Sequence, residues 1–292
     1  MKWTIEKQYD GMLVREYLHS VRAFSRRMVK TVKFEGSIML NGKPVTVRST
    51  LHKGDELAIT FPEERKEDGL TPIEISLDII FEDEEILVLN KPAGIPVVPS
   101  PHFQGGSIAS GLISYYQKKN LNYTAHIVTR LDKDTSGLML VAKHRFSHSQ
   151  LARLQQQGKV NRSYTALVDG QLEAKKGVID VPIGRKSTSI IEREVREDGQ
   201  KAVTHYEVIE ELERFSVVHV RLETGRTHQI RVHFASLGHP LLGDDLYGGP
   251  MKEGIKRQAL HCHELSFYHP FRGETVELVT PVLKDMRLLM EQ

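Results

Sequence analysis

Asp132 and Asp134 stand beside the hydroxyls of Thr135 and Ser136 and the glycine Gly137, directly ahead of the apolar run 138–142. That composition predicts a polar loop held rigidly at a sheet edge. A carboxylate fixed there can attack as a nucleophile, take a proton or stabilise a developing cation. The same residues also suit an Asx or Ser/Thr turn entering a strand, and spacing alone leaves both readings open. A second segment, 222–234, reads as a strand, a turn at Gly225 and a helix. Ile230, Phe234 and Leu237 fall at i, i+4 and i+7 and form its buried stripe. Arg231 sits at the edge of that stripe, where a guanidinium either points partly inward to a carboxylate or snorkels to solvent.

Other polar clusters carry less. His261, Cys262, His263 and His269 match no standard zinc spacing, and alternation along a strand separates Cys262 from its neighbours. His228 and His233 are five apart, not the four of a helical zinc pair. Asp244 and Asp245 with His239 would suit a metal-dependent hydrolase, yet Gly238, Pro240, Gly243 and Gly248 favour a plain loop. No metal site is expected.

The elements that must position these residues form a strand-rich body. Strands are predicted at 79–90, 137–142, 164–168, 203–209 and 215–222, and helices at 108–118, 147–157 and 227–237. The fold class is α+β: a mixed, mostly antiparallel sheet with flanking helices, in a catalytic domain spanning 72–292. Residues 62–71 are charged and poor in apolar side chains, a predicted linker. Ahead of them, 1–61 form a small α/β module. Leu13, Val14, Tyr17 and Leu18 recur at helical spacing. Ser25 caps a second helix that ends at Gly36, strands follow at 38–40 and 45–47 around the Asn41–Gly42 turn, and another runs over 57–61. The second helix exposes Arg26, Arg27, Lys30 and Lys33, an electrostatic footprint for an RNA backbone.

Charge distribution agrees. The first sixty residues hold eleven Lys/Arg and six Asp/Glu, a net of +5, which leaves −3 for the rest of a chain whose total is +2. One cysteine excludes an internal disulfide. No apolar run approaches the ~20 residues of a membrane helix. A cytoplasmic monomer with no membrane contact is expected.

The N-terminal module resembles the RNA-binding fold of the small-subunit ribosomal protein S-four type, through Ser25-Arg26-Arg27, residues 36–43 and Gly54-Asp55. From 72 to 281 the chain resembles the RluA-type family of pseudouridine synthases. The segments that carry this are 89–94, the Arg130-Leu131-Asp132 loop, 164–170, 224–231 and 238–244. The resemblance implies an RNA isomerase without metal or organic cofactor. Asp132 would be catalytic, Tyr164 would pack on the flipped-out base, Arg231 would pair with the catalytic carboxylate and favour its charged form, and Arg130 would help hold the flipped state. Arg226, His228 and Gln229 join Arg130, Arg26, Arg27 and Lys30 as substrate-binding candidates. The chain departs from the family at Thr129, where histidine is common and where the grip on RNA could change, and at Arg162, where lysine is common. Large-subunit ribosomal RNA is the expected substrate, with transfer RNA, or a non-catalytic role in ribosome assembly, as alternatives.

Overall fold

The computed structural model describes residues 1–62, 70–100, 103, 105–251 and 254–291. Most of the segment read as a linker, 63–69, lies outside them. Contacts divide the chain into two compact units, Met1–Glu67 with Asn122–Thr124, and Asp68–Leu121 with Ala125–Gln292.

The first unit holds β1 (Lys2–Thr4), α1 (Val14–Glu16) running into the turn Tyr17–Val21, α2 (Arg26–Glu35), β2 (Ser37–Leu40), β3 (Lys43–Pro44) and β4 (Glu56–Thr60). Its antiparallel sheet has the order β1-β4-β2-β3. Helix α2 begins because the Ser25 hydroxyl accepts the Met28 N–H at 3.1 Å, the N-cap expected from sequence. It ends at Gly36, whose N–H reaches the Val32 carbonyl. Met28 and Val32 form its buried face. The return strand predicted at 45–47 is shorter and earlier. Val45 bonds Ile38, but Thr46 and Ser49 then close a turn on each other and lead the chain out of the sheet.

The second unit runs β5 (Ile79–Glu82), β6 (Ile86–Lys91), α3 (Ile108–Lys118), β7 (His126–Ile127), β8 (Ser136–Ala142), α4 (Arg145–Gln156), β9 (Val160–Asp169), β10 (Lys176–Asp180), β11 (Ile183–Arg185), β12 (Arg193–Val195), β13 (Val203–Glu211), β14 (Phe215–Leu222), α5 (Gln229–Ser236), β15 (Leu260–His269), β16 (Glu274–Val279) and α6 (Lys284–Met290). The single strand predicted at 79–90 is two strands. Asp83 accepts the N–H groups of Glu85 and Ile86 and so makes a tight Asx-type turn between them. The main sheet has the order β10-β13-β14-β9-β15-β8-β6-β5, with β16 added to β15 and β7 to β8. Every one of its pairings is antiparallel except β15 with β8, which meet in parallel only at His261–Ser136 and Cys262–Gly137.

That seam decides where the chemistry sits. Gly137 takes φ +113°, and a Cβ there would lie 2.2 Å from the Cys262 carbonyl oxygen. Only glycine lets the two backbones close, so Gly137 serves the seam rather than a surface turn. All seven residues of β8 are buried, as a central strand requires. The loop ahead of β8 therefore lies at the middle of the sheet, not at the edge predicted for it. Leu167, Phe215, Val217, Leu242, Met286 and Leu289 pack one of the unit's cores, which α6 closes.

Candidate active site

Residues 128–135 connect β7 to β8, and buried groups hold them by their backbone. Lys91 is fully buried, and its ammonium donates to the carbonyls of Pro92, Ile95 and Lys133 at 2.7, 2.8 and 2.7 Å. Burial draws its pKa down to about 7, against the opposing charges of Asp134 and Asp132. Arg257 grips Asp285 with two nitrogens and donates a third bond to the Asp134 carbonyl at 3.2 Å. Gln258 donates to the Thr135 hydroxyl, and Ser136 bonds His261. Thr129 is 1% exposed and accepts the Leu140 N–H at 2.9 Å. The departure at Thr129 thus fixes the loop from inside and does not face RNA, contrary to the role considered for it. Every hydroxyl of the segment is used internally. The Asp132 side chain is left standing into a pocket, 24% exposed.

Arg231 reaches that pocket from α5. It points inward, as the edge of the apolar stripe allows. Its Nε and Nη2 bind both oxygens of Asp244 at 2.7 Å, and Nη1 reaches Asp132 at 3.3 Å. The Asp244 side chain is fully buried. Burial acts to lower the Arg231 pKa, but the bonds to Asp244 and the charges of Asp244 and Asp132 outweigh it and raise the pKa. A guanidinium forked onto one carboxylate has little rotational freedom, so the remaining nitrogen is aimed at Asp132. Both oxygens of Asp244 are committed and His239 bonds the Asp169 carbonyl, so the hydrolase constellation considered for these residues does not assemble.

Tyr164 on β9 lines the same pocket and is 3% exposed. Burial drives its hydroxyl pKa upward, so it keeps its proton at neutral pH. Arg130, Arg162 and Arg226 line the pocket and also border an adjoining cleft of about 480 Å³. Gly225 makes room for Arg162: a Cβ there would lie 2.8 Å from its Nη2. Three guanidinium groups around one carboxylate give the cleft a strongly cationic lining.

His228 caps α5 in the left-handed region, φ +58°. Its Nδ1 lies 2.7 Å from the Tyr247 hydroxyl, which accepts the Arg193 backbone N–H, and its Nε2 lies 3.9 Å from Asp132. Burial lowers the His228 pKa and raises that of Tyr247. The contact at Nδ1 fixes the ring's orientation and turns Nε2 towards Asp132. Gln229, a substrate-binding candidate, is 2% exposed. Its amide donates to Val203 and Thr204 and accepts from Thr224 and Arg226, so its side chain ties the start of α5 to β13 and is spent there. Arg26, Arg27 and Lys30 belong to α2 of the first unit.

Sequence reasoning brought Asp132, Tyr164 and Arg231 together, and they share this pocket. It weighed Asp244 only as a hydrolase residue, not as the partner of Arg231, and it did not single out Lys91, Arg257 or Tyr247. One signal was available: an arginine on a buried stripe requires a carboxylate, and Asp244 follows 13 residues later.

Residues 85–236 match the family described as RNA pseudouridylate synthase, and residues 1–57 match the RluD ribosomal pseudouridine synthase N-terminal domain. An uncharacterised RNA pseudouridine synthase of Bacillus subtilis (strain 168) is 48% identical over 96% of this chain and 99% of its own length. The ribosomal large subunit pseudouridine synthase D of Vibrio cholerae is 41% identical over 90% and 85%. Among solved structures, human RNA pseudouridylate synthase domain containing 1 is similar with a TM-score of 0.58 and 25% identity, covering 74% of this chain and 94% of its own. Human RNA pseudouridylate synthase domain containing 4, at 24% identity and a TM-score of 0.60, shares the fold over 73% and 91%.

Proposed function

The chain belongs to the RluA/RluD-type family of RNA pseudouridine synthases, isomerases of uridine, and from that premise we propose that Asp132 catalyses the reaction on large-subunit ribosomal RNA. The observation that carries this reading is a single partly open carboxylate, Asp132, oriented by an arginine that Asp244 has already locked.

Isomerisation breaks the bond from the ribose to the uracil nitrogen and rejoins the base through a ring carbon, which then loses its proton. Positive charge develops on the sugar and negative charge on the base. Asp132 meets the first, by attack on the sugar carbon, by charge stabilisation or by removing a sugar proton. The arginines at the rim suit the phosphates around a nucleotide swung out of its helix, and Arg130, beside the aspartate loop, suits the space the base vacates. Tyr164 offers the base a stacking face, worth about 1–3 kcal/mol in comparable recognition. Because it retains its proton, it serves as a platform rather than a base. The Arg231 Nη1 donates to the carboxylate, and the His228 ring lies beside it.

Two matches support the ribosomal substrate. The N-terminal unit matches a domain described for a ribosomal pseudouridine synthase, and a 41% identical relative is named for the large subunit. In this reading residues 1–61 anchor RNA through phosphate contacts and 72–292 perform the chemistry. Mapping pseudouridines in ribosomal and transfer RNA from cells lacking the protein tests it. Loss of a large-subunit site, restored by wild type, supports the substrate; loss confined to transfer RNA overturns it.

A further inference from the structure

Phe34 is 65% exposed on α2, while of the helix's other large apolar residues Met28 and Val32 are buried and Val29 is partly buried. Its position around the helix is informative. At about 100° per residue, Arg26, Arg27, Lys30, Lys33 and Phe34 share one arc of roughly 120°, and Met28 and Val32 lie on the opposite side. All five are exposed. None of the four cations makes an ion pair among the described residues. Lys33 instead places its Nζ 4.5 Å from the centre of the Phe34 ring.

A lone exposed phenylalanine on a helix is ordinary. A phenylalanine set within a stripe of cations that have no acidic partner among the described residues is a different object. Four positive charges on one face suit a polyphosphate backbone and would repel a basic protein surface. A ring among them has one use that the cations do not duplicate, because a nucleobase presents a flat face of the size of the ring. Such pairing of a cationic track with an aromatic platform is how unpaired nucleotides are held.

We infer that the exposed face of α2 binds an RNA element with an unpaired nucleotide, whose base stacks on Phe34 while Arg26, Arg27, Lys30 and Lys33 hold the flanking phosphates. This rests on the ribosomal RNA reading and adds to it a base-stacking site outside the active site. The N-terminal unit would then prefer a loop or bulge to a continuous duplex, in which bases are stacked and inaccessible.

The test measures binding of the full chain to transcribed large-subunit ribosomal RNA across a salt series. Phe34→Leu keeps apolar area and removes the flat ring; Phe34→Trp keeps a ring. The leucine variant should bind at least about 5-fold more weakly, the loss that removal of a stacking aromatic brings. Its salt slope should equal that of wild type, and the tryptophan variant should bind as wild type does. Arg27→Gln with Lys30→Gln should instead lower the slope, by about 0.7 to 0.9 for each phosphate that is no longer neutralised. Thermal melting checks that each variant is folded; Phe34 is exposed, so no change is expected. Equal affinity of wild type and the leucine variant overturns the stacking inference alone. A wild type that fails to bind this RNA overturns the substrate reading as well.

Discussion

Helices α2 and α5 use arginine in opposite ways. On α2, Arg26 and Arg27 are exposed and carry no carboxylate partner among the described residues. On α5, Arg231 is 6% exposed and bound by two aspartates. An exposed cation adapts to whichever phosphate arrives and holds no fixed geometry. A buried one forked onto Asp244 holds a single orientation at the cost of adaptability. One surface suits gathering a large RNA, the other suits fixing one carboxylate against one bond.

The comparison breaks most readily at Arg231. Arg231→Met leaves Asp244 buried and unpaired, so the second unit should lose about 3–5 kcal/mol of stability, read by denaturant unfolding. Arg231→Lys keeps charge but loses the fork; kcat should fall on the order of 100-fold with little change in RNA affinity, because a small displacement of a catalytic group is enough. A lysine variant of full activity would show that orientation of Asp132 does not matter.

Acid probes the second unit's buried core in another way. His261 is fully buried, and burial, with the Arg257 charge, holds its pKa down at about 4. The folded protein therefore refuses a proton that the unfolded chain accepts near pH 6.5. Stability is full above pH 6.5 and falls as pH drops towards 4, by up to about 3 kcal/mol from this group. His261→Gln should flatten that dependence in unfolding experiments between pH 7 and 4.5; an unchanged curve would assign the loss to other groups.

The smallest effects belong to α2. Replacing Arg26, Arg27, Lys30 and Lys33 by glutamine should weaken RNA binding and lower its salt slope by up to about 3. At saturating RNA kcat should not change. A drop in kcat with an unaltered slope would place these cations in the chemistry rather than in anchoring.

Local patterns made much of this legible. The Ser25 cap and the turn at Asn41–Gly42 each follow from a few adjacent residues, and the structure keeps both; of the stripe expected on α5 it keeps Ile230 and Phe234, whereas Leu237 lies just past the helix end and is 45% exposed. The motifs around Asp132 and Arg231 indicated which side chains share the pocket. What could not be read depends on closure over distance. Lys91 meets the Lys133 carbonyl 42 residues away, and Arg257 meets Asp134 across 123. The parallel seam that puts Asp132 at mid-sheet rests on two residue pairs, too few to leave a pattern in either strand. Gln229 reads as a polar group free for substrate because its partners Val203 and Thr204 lie on another element.

The central claim is that Asp132, aimed by Arg231 and Asp244, performs the isomerisation. The most direct test measures single-turnover pseudouridine formation and RNA affinity together for wild type and Asp132→Asn. Asparagine keeps the size of the side chain and removes its charge. A rate reduced by at least about 1,000-fold, with affinity within about 3-fold of wild type, is the expected result. Pseudouridine formation at a near-normal rate by the asparagine variant would contradict the account.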